Sequence, residues 1–529
     1  MLSGRVEQEL LLGRFKYVEA GYCQRSRCME GTRKSLLKEI MDWANNIPSQ
    51  KDGFQTNIFW LYGLPGIGKT ALAHSICAML HDHGKLAGSF FCQRDSGNLS
   101  KVGNILPTLI GKLAGNFSRF RTIVANRLRG DSNLTPESMK DSLFLDLIRS
   151  VSGHPKHPLV FVIDALDECG DNQSRPNILN VLTNAAREVS WLKIIITSRP
   201  EVDIQRFFDS LSQQSHSRRD LASDEEANAD LRTFTRTQFD ILVTDWQFSA
   251  PWPEESVFNS IISRANGLFI FIKTLVLSLE GCKDLTETLK ATLHNSDVTG
   301  LDSLYGLYSS ILISRIPPKD AEFKRVIGVL LATALHRPLR EETIAELAGV
   351  SPNLVKKWVA GLSSLLYQDK NANEGIRVRH LSISDFFIHN DSQSDYQVDL
   401  GDANMDLGIA CMNKMVEQLR FNICKLEDSR LANVKIENLQ SRIEANISNA
   451  LQYSCLYWSN HLSFHPRNDD RRVLEGLKKF FEGLYPLFWI EVLSLMGMVP
   501  IGVPSLRRVK STWVKASTTT SLSLKIILT

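Results

Sequence analysis

IFWLYGLPGIGKTALAHSICAML, residues Ile58 to Leu80, is the stretch from which the rest of the chain is read. The apolar run Ile58 to Tyr62 enters Gly63-Leu64-Pro65-Gly66-Ile67-Gly68-Lys69-Thr70, which satisfies G-x-x-x-x-G-K-[ST], and apolar residues at helical spacing follow at once. The order predicted is strand, phosphate-binding loop, helix. Glycines at 63, 66 and 68 let the backbone curl with its N–H groups inward, and the helix adds the positive end of its dipole, so a polyphosphate meets fixed donors. Lys69 is placed to reach the β- and γ-phosphates and Thr70 to set its hydroxyl on Mg²⁺, the remaining metal positions falling to phosphate oxygens, water and a distant carboxylate. A chance glycine-rich turn is the plain alternative, and the flanking strand and helix weigh against it.

Downstream, Leu86 to Cys92 reads as a second strand, and helical periodicity runs through Val102 to Leu113, Arg119 to Leu128 and Pro136 to Val151. After the turn GHPKHP, the apolar run Leu159 to Ile163 leads into Asp164-Ala165-Leu166-Asp167-Glu168. Such a run marks a strand buried on both faces of a parallel sheet, with ligands at its C-terminal end. Asp164 is therefore the candidate Mg²⁺ carboxylate, and Asp167 and Glu168 are candidates to orient or deprotonate an attacking water. A helix-capping Asp is the plain alternative for the first of these, and its position about a hundred residues after the phosphate loop favours the metal reading. A helix from Arg175 to Val189 and a buried strand, Leu192 to Ile196, precede Thr197-Ser198-Arg199-Pro200, where Arg199 is the candidate γ-phosphate sensor and an exposed loop arginine the alternative.

At 529 residues the chain is long enough for several domains, and a formal net charge of +3 does not suggest a wholesale nucleic-acid binder, so any basic patch is local. Nine cysteines (Cys23, Cys28, Cys77, Cys92, Cys169, Cys282, Cys411, Cys424, Cys455) contain no C-x-x-C pair, which suits reduced thiols in a cytoplasmic protein. The N-terminal residues have no apolar core of signal-peptide kind. Leu487 to Pro504 is the most apolar stretch, but Glu491 has no evident partner there and Pro500 interrupts it, so a buried helix ending near Gly497 is expected rather than a membrane span.

Ser210 to Asp230 is polar and reads as a surface loop or linker. Helices are expected over Asp230 to Leu242, Glu254 to Ala265, Leu268 to Leu279, Leu285 to Leu293, Leu301 to Ile316 and Lys319 to Leu335. Leu339 to Leu366 has a helix, a turn at Gly349 and a second helix with Leu354, Val355, Trp358 and Leu362 on one face, and Gly375 to Val378 could be a wing strand. As a DNA reader the second helix would present Asn353, Lys356 and Lys357; as a regulatory winged helix it would pack on the nucleotide domain. The motif alone does not separate the two, and the modest basicity leans away from DNA. Helices are again expected over Asp402 to Leu419, Ser429 to Asn449, Ala450 to Leu462 and Arg472 to Leu484, then a frayed tail, and no fixed-period repeat is found.

Together, Gly63 to Thr70, the DALDE run at Asp164 to Glu168 and Thr197 to Pro200 resemble the NACHT family of signalling NTPases, in particular the fungal NLR-like proteins with a nephrocystin-like N-terminal NACHT domain. The lead-in Cys28-Met29-Glu30-Gly31-Thr32-Arg33 and Phe59-Trp60-Leu61-Tyr62-Gly63 share that group's wording. The resemblance implies an α/β P-loop NTPase with a parallel sheet, then a helical subdomain, a winged helix and an all-α C-terminal region. The boundaries expected are 1–27 for an N-terminal segment, 28–225 for the nucleotide domain, 226–316 for the helical subdomain, 317–392 for the winged helix, 393–505 for the helical region and 506–529 for the tail. Asn266-Gly267-Leu268-Phe269-Ile270 is similar to the family's G-L-P segment with Phe269 in place of proline, and His380, opening His380 to Phe387, matches the histidine that touches the β-phosphate of ADP. A winged-helix core or surface histidine is the alternative there. The resemblance further implies ATP or ADP with Mg²⁺, self-oligomerisation, protein partners and no membrane. ATP is expected over GTP because no [NT]-K-x-D element follows Asp164, with GTP as the alternative.

Overall fold

The structure is a computed structural model that describes residues 17–19, 21–22, 27–46, 57–130, 141–150, 157–212, 216–224, 226–244, 251–293, 298–369, 374–389, 395–428, 431–464 and 471–511. The expected N-terminal segment, the start of the Pro136 to Val151 helix, most of GHPKHP and the end of the tail lie largely outside these residues. The chain divides after Leu307 into two units.

In the first unit, α1 (Lys34–Asn45) precedes β1 (Ile58–Tyr62), α2 (Lys69–Asp82) and β2 (Leu86–Phe91). Helices α3 (Ile105–Asn116), α4 (Ser118–Gly130) and α5 (Asp141–Arg149) lead to β3 (Leu159–Asp164). Next come α6 (Ser174–Glu188), β4 (Leu192–Ser198), α7 (Val202–Ser210) and β5 (Ser217–Asp220). Helices α8 (Ala227–Leu242), α9 (Glu255–Ala265), α10 (Phe269–Leu279) and α11 (Leu285–Leu293) follow, and α12 (Gly300–Ile313) runs into the second unit.

The five strands form one sheet in the order β2-β3-β4-β1-β5, every neighbouring pair parallel. Parallel strands need long crossovers, and the helices between them supply these while covering both faces. That is why β1 to β4 are almost uninterrupted apolar runs: Phe161 in β3 and Ile194 to Ile196 in β4 are fully buried. Trp60 of β1 stacks on Phe208 of α7 at a centroid distance of 4.4 Å and donates its indole N–H to Ser198 Oγ at 2.9 Å.

Ser217 to Asp220 corrects the expectation of a loop across Ser210 to Asp230, because it is an edge strand paired with Phe59 to Tyr62. An edge strand exposes one side, so its polar sequence carries no apolar signal, and the backbone pairing with β1 is what orders it.

The second unit contains α13 (Ala321–Thr333), α14 (Glu341–Ala348), α15 (Pro352–Gly361), an antiparallel pair β6 (Leu366–Asp369) and β7 (Gly375–Val378), and α16 (Leu381–His389). Val355 and Trp358 of α15 are buried, Trp358 edge-on to Phe323 at 5.4 Å, while Asn353, Lys356 and Lys357 are exposed. Then come α17 (Leu400–Gln418), α18 (Leu439–Asn446), α19 (Asn449–Leu462), α20 (Arg471–Glu482), α21 (Tyr485–Leu495) and α22 (Gly502–Val509). The helix expected over Ser429 to Asn449 is shorter than its pattern: among the described residues before Asn449, Leu439–Asn446 is the α-helical part.

Glu491, read from sequence as lacking a partner, accepts the backbone N–H groups of Asn422 and Ile423 at 3.2 and 3.1 Å. Among the described residues no helix is long and apolar enough to cross a membrane. At the chain's end α22 runs on to Val509, which is fully buried, so the helical pattern continues past Ser505.

Because Phe161 is wholly buried at the sheet centre, Phe161→Ala should lower stability by about 3–5 kcal/mol, measured as a shifted urea midpoint. A midpoint unchanged within error would contradict the packing.

Candidate nucleotide site

Strand order determines what meets at the C-terminal edge of the sheet. With β4 between β1 and β3, Tyr62 aligns with Ser198 and Ile163 with Ile196, so the phosphate loop, Asp164 and the Thr197 to Arg199 segment emerge side by side. Gly66 and Gly68 have φ of +80° and +101°, values that side-chain-bearing residues avoid, and they turn the loop into the N-terminus of α2. Leu64 is exposed, whereas Gly63, Pro65 and Ile67 are buried beneath the loop.

Lys69 lies at the centre. Its Nζ donates to Gly63 O at 2.8 Å and Leu64 O at 2.9 Å, and burial holds the ammonium down at about 8, with Asp167 the largest opposing influence. Thr70, exposed at the start of α2, has its hydroxyl near enough to Asp164 to lower that carboxyl's proton affinity. Asp164 is buried, and its carboxyl is pushed up to about 6 by desolvation against the hydroxyls of Thr197 and Thr70. Two hard oxygen donors in reach of each other are the donor set that suits Mg²⁺.

Sequence reasoning quoted Thr197 but missed its role. Its hydroxyl donates to Asp164 Oδ1 at 2.5 Å and accepts the Ala165 N–H at 2.9 Å, where Ala165 has a φ of +54°. A non-glycine residue in that region is a strained one, and here the turn is held by a bond from the neighbouring strand.

The two further carboxylates differ. Asp167 accepts the Arg199 backbone N–H at 2.9 Å and pairs with Arg199 Nε at 3.3 Å, so both of its oxygens are engaged. Arg175 in turn donates to the Asp167 carbonyl and holds Asp203 through two nitrogens at 2.7 and 3.3 Å. Glu168 receives the Arg94 backbone N–H at 3.3 Å, and burial followed by the charge of Asp167 pushes it up to about 8. Glu168 therefore has a proton affinity in the range a proton-transfer group needs near neutral pH.

A second cluster, unforeseen from sequence, holds the loop from the side of the helices. Arg33, buried and at a φ of +56°, donates through Nη1 to Asp224 Oδ2 at 2.5 Å and through Nη2 to the loop carbonyl of Ile67 at 3.3 Å. Its backbone N–H donates to Asp230 Oδ2 at 2.9 Å, and its guanidinium lies 5.6 Å from the Phe269 ring centroid. At the start of α10, the Ile270 N–H donates to Gly66 O at 3.2 Å. The only sequence signal was the acidic residues of the polar stretch after β5, which pattern rules assign to solvent.

His380 lies in the second unit, half-buried before α16. Its Nδ1 accepts the Ser382 N–H at 3.2 Å and is 2.6 Å from Ser382 Oγ, which is 2.8 Å from the Tyr308 hydroxyl.

Residues 31–199 match the family model described as Nephrocystin 3, N-terminal. The chain is 24% identical over 526 residues to vegetative incompatibility protein HET-E-1 of Podospora anserina, an alignment covering 91% of this chain and 37% of that protein. The chain thus spans well under half the length of this relative. Among solved structures, the Walker-type ATPase paby2304 of Pyrococcus abyssi is similar at 14% identity and a TM-score of 0.32, covering 71% of this chain and 99% of that one. The ORC1 protein of Aeropyrum pernix in complex with DNA is similar at 12% identity and a TM-score of 0.30, covering 69% and 94%.

Two expectations follow from these contacts. Arg33→Ala strands Asp224 and frees the loop carbonyl, so stability should fall by about 3 kcal/mol in a denaturant titration, with Arg33→Lys intermediate. Equal stability of all three proteins would refute the latch. For Glu168, a carboxyl raised from 4.5 to about 8 on folding favours the folded state fully below pH 4.5, and that contribution is lost as pH rises through 8. In magnesium-free buffer the melting temperature of the wild type relative to Glu168→Gln should therefore decline between about pH 5 and 8. A difference that does not change with pH would remove this assignment.

Proposed function

We propose that this chain, which carries a nephrocystin-like NACHT domain at residues 31–199, is a nucleotide-operated signalling switch that binds ADP or ATP with Mg²⁺ and hydrolyses ATP slowly. The observation that carries the reading is the convergence, at one sheet edge, of Lys69, the Thr70–Asp164 pair, Arg199 on Asp167, and Glu168. Gly63, Leu64, Pro65, Gly66, Ile67 and Gly68 form the cradle, whose N–H groups and helix dipole favour polyphosphate.

Lys69 exchanges its two carbonyl acceptors for phosphate oxygens, which restores the charge that burial disfavours. Thr70 and Asp164 would hold Mg²⁺, which supplies charge neutralisation at the β- and γ-oxygens. Arg199, fixed by Asp167, senses the γ-phosphate, and Glu168 accepts the proton of the attacking water. Metal occupancy restores the ionised form of Asp164, since a cation beside a buried carboxylate offsets its desolvation.

The Arg33 cluster and the bond from α10 to Gly66 give the helical elements a direct hold on the loop. Exchange of ADP for ATP changes the charge presented to that loop, and rearrangement with self-association follows. His380 is assigned the ADP β-phosphate contact on resemblance alone. Likeness to a vegetative incompatibility protein supports a role in recognition signalling through protein partners.

The test is the nucleotide content and turnover of the purified chain beside Lys69→Ala, Glu168→Gln and His380→Ala. Co-purifying ADP and slow ATP hydrolysis are expected, with turnover reduced roughly 100-fold in Glu168→Gln while nucleotide stays bound, and with faster ADP release from His380→Ala. Competition by GTP decides the base. Absence of bound nucleotide, with no turnover above the Lys69→Ala background, would instead leave a scaffold acting through protein contacts.

A further inference from the structure

In the second unit, α13, α17, α19 and α22 line a half-open cavity of about 180 Å³. Leu331, Leu400 and Phe464 give it apolar walls, and His336, Asn404, Asn460, Ser463 and Arg508 bring polar groups to it. Most polar atoms nearby are already satisfied. Asn404 donates to Leu400 O at 2.8 Å and is 2.8 Å from Nδ1 of the buried His461, whose Nε2 is 2.8 Å from the Tyr453 hydroxyl.

Arg508 and Ser463 have capacity left over. Arg508 donates through Nη1 to Ser459 Oγ at 2.9 Å and Asn460 Oδ1 at 2.7 Å, two neutral acceptors that fix the guanidinium without cancelling its charge. Among the described residues no carboxylate pairs with it, and none lines the cavity. Ser463 Oγ is buried and has no hydrogen-bond partner, a condition that is costly unless something binds there. His336 stacks on Tyr457 at 4.9 Å, and burial with the Arg508 charge pushes it down to about 4, so it is a neutral imidazole with one N–H to donate.

We propose that this cavity binds a small organic monoanion: a carboxylate on a compact apolar body the size of one aromatic ring. One uncompensated cation calls for one negative charge, and a guanidinium edge beside a hydroxyl and an imidazole matches two carboxylate oxygens. The volume sets the size, since a cavity of about 150 Å³ accommodates benzene. Inorganic phosphate would bring charge to Arg508 but leave Leu331, Leu400 and Phe464 facing a polar group. A neutral apolar molecule would fill the space and leave Ser463 and Arg508 unanswered. This site uses none of the nucleotide-binding residues, so it stands or falls apart from the switch.

Benzoate and 3-methylbutanoate are the probes, titrated calorimetrically into the full chain, with benzamide and inorganic phosphate as controls. Saturable one-to-one binding of a carboxylate is expected, weakened at least about tenfold by Arg508→Gln and also by replacing the carboxylate with benzamide. Ala332→Met, which fills the cavity without touching the Arg508 bonds, should abolish binding and covers the case in which Arg508→Gln does not fold. Retained melting temperature of the variants shows that the fold survives. The proposal is overturned if neither carboxylate saturates at millimolar concentration, as a cavity filled by water alone would give, if benzamide or phosphate binds as well, or if Ala332→Met binds like the wild type.

Discussion

The placement of β4 between β1 and β3 is the constraint on which the nucleotide domain depends. A parallel ladder sends all strand ends to one edge, and the inserted strand puts the Thr197 hydroxyl against Asp164 and the Ala165 N–H. Without that bond a buried carboxylate would lack a donor and the left-handed Ala165 would lack a restraint, both of which are expensive in a dry interior. The side chain of Ser198, next in β4, ties the same strand to Trp60 of β1. Chemistry at the edge is therefore a consequence of sheet order rather than of any single loop.

Charge at that edge is distributed rather than simply paired. Three carboxylates (Asp164, Asp167, Glu168) lie with two cations (Lys69, Arg199), and the geometry gives one carboxylate to Arg199, one to the hydroxyls of Thr70 and Thr197, and leaves the third near neutrality. Lys69 meanwhile rests on carbonyls. In the proposed reading, a polyphosphate would answer the cations and a divalent metal the carboxylates, which is the imbalance the fold leaves at this edge.

The helices join this arrangement through Arg33, which spans a loop carbonyl, two aspartates and an aromatic ring. Its backbone N–H serves Asp230, and one guanidinium serves Asp224, the Ile67 carbonyl and the Phe269 ring because its planar donors point in fixed directions, which a lysine could not reproduce. In the second unit the buried polar groups follow the same economy: Glu491 caps two backbone N–H groups and His461 is used at both nitrogens. Ser463 Oγ is one of several buried polar atoms there without a partner, and it is the one that shares a cavity with the charge of Arg508.

Much of the nucleotide domain was legible in sequence because its signals are local. A glycine-rich loop between an apolar run and a helical pattern, and apolar runs ending in DALDE and TSRP, specify strand, turn and helix within a few residues, and Lys69, Thr70, Asp164 and Arg199 follow from position. The edge strand Ser217–Asp220 was not legible, since its order comes from pairing with β1 rather than from its own side chains. Nor were the division of labour between Asp167 and Glu168, the Thr197 bond or the Arg33 cluster, which join residues from 32 to 197 positions apart. By itself the sequence determined the parallel α/β class and named the residues that meet at the sheet edge. Only the tertiary structure decided which of them share a hydrogen bond, because burial and partnership are properties of neighbours in space, and these set whether each carboxylate holds its charge.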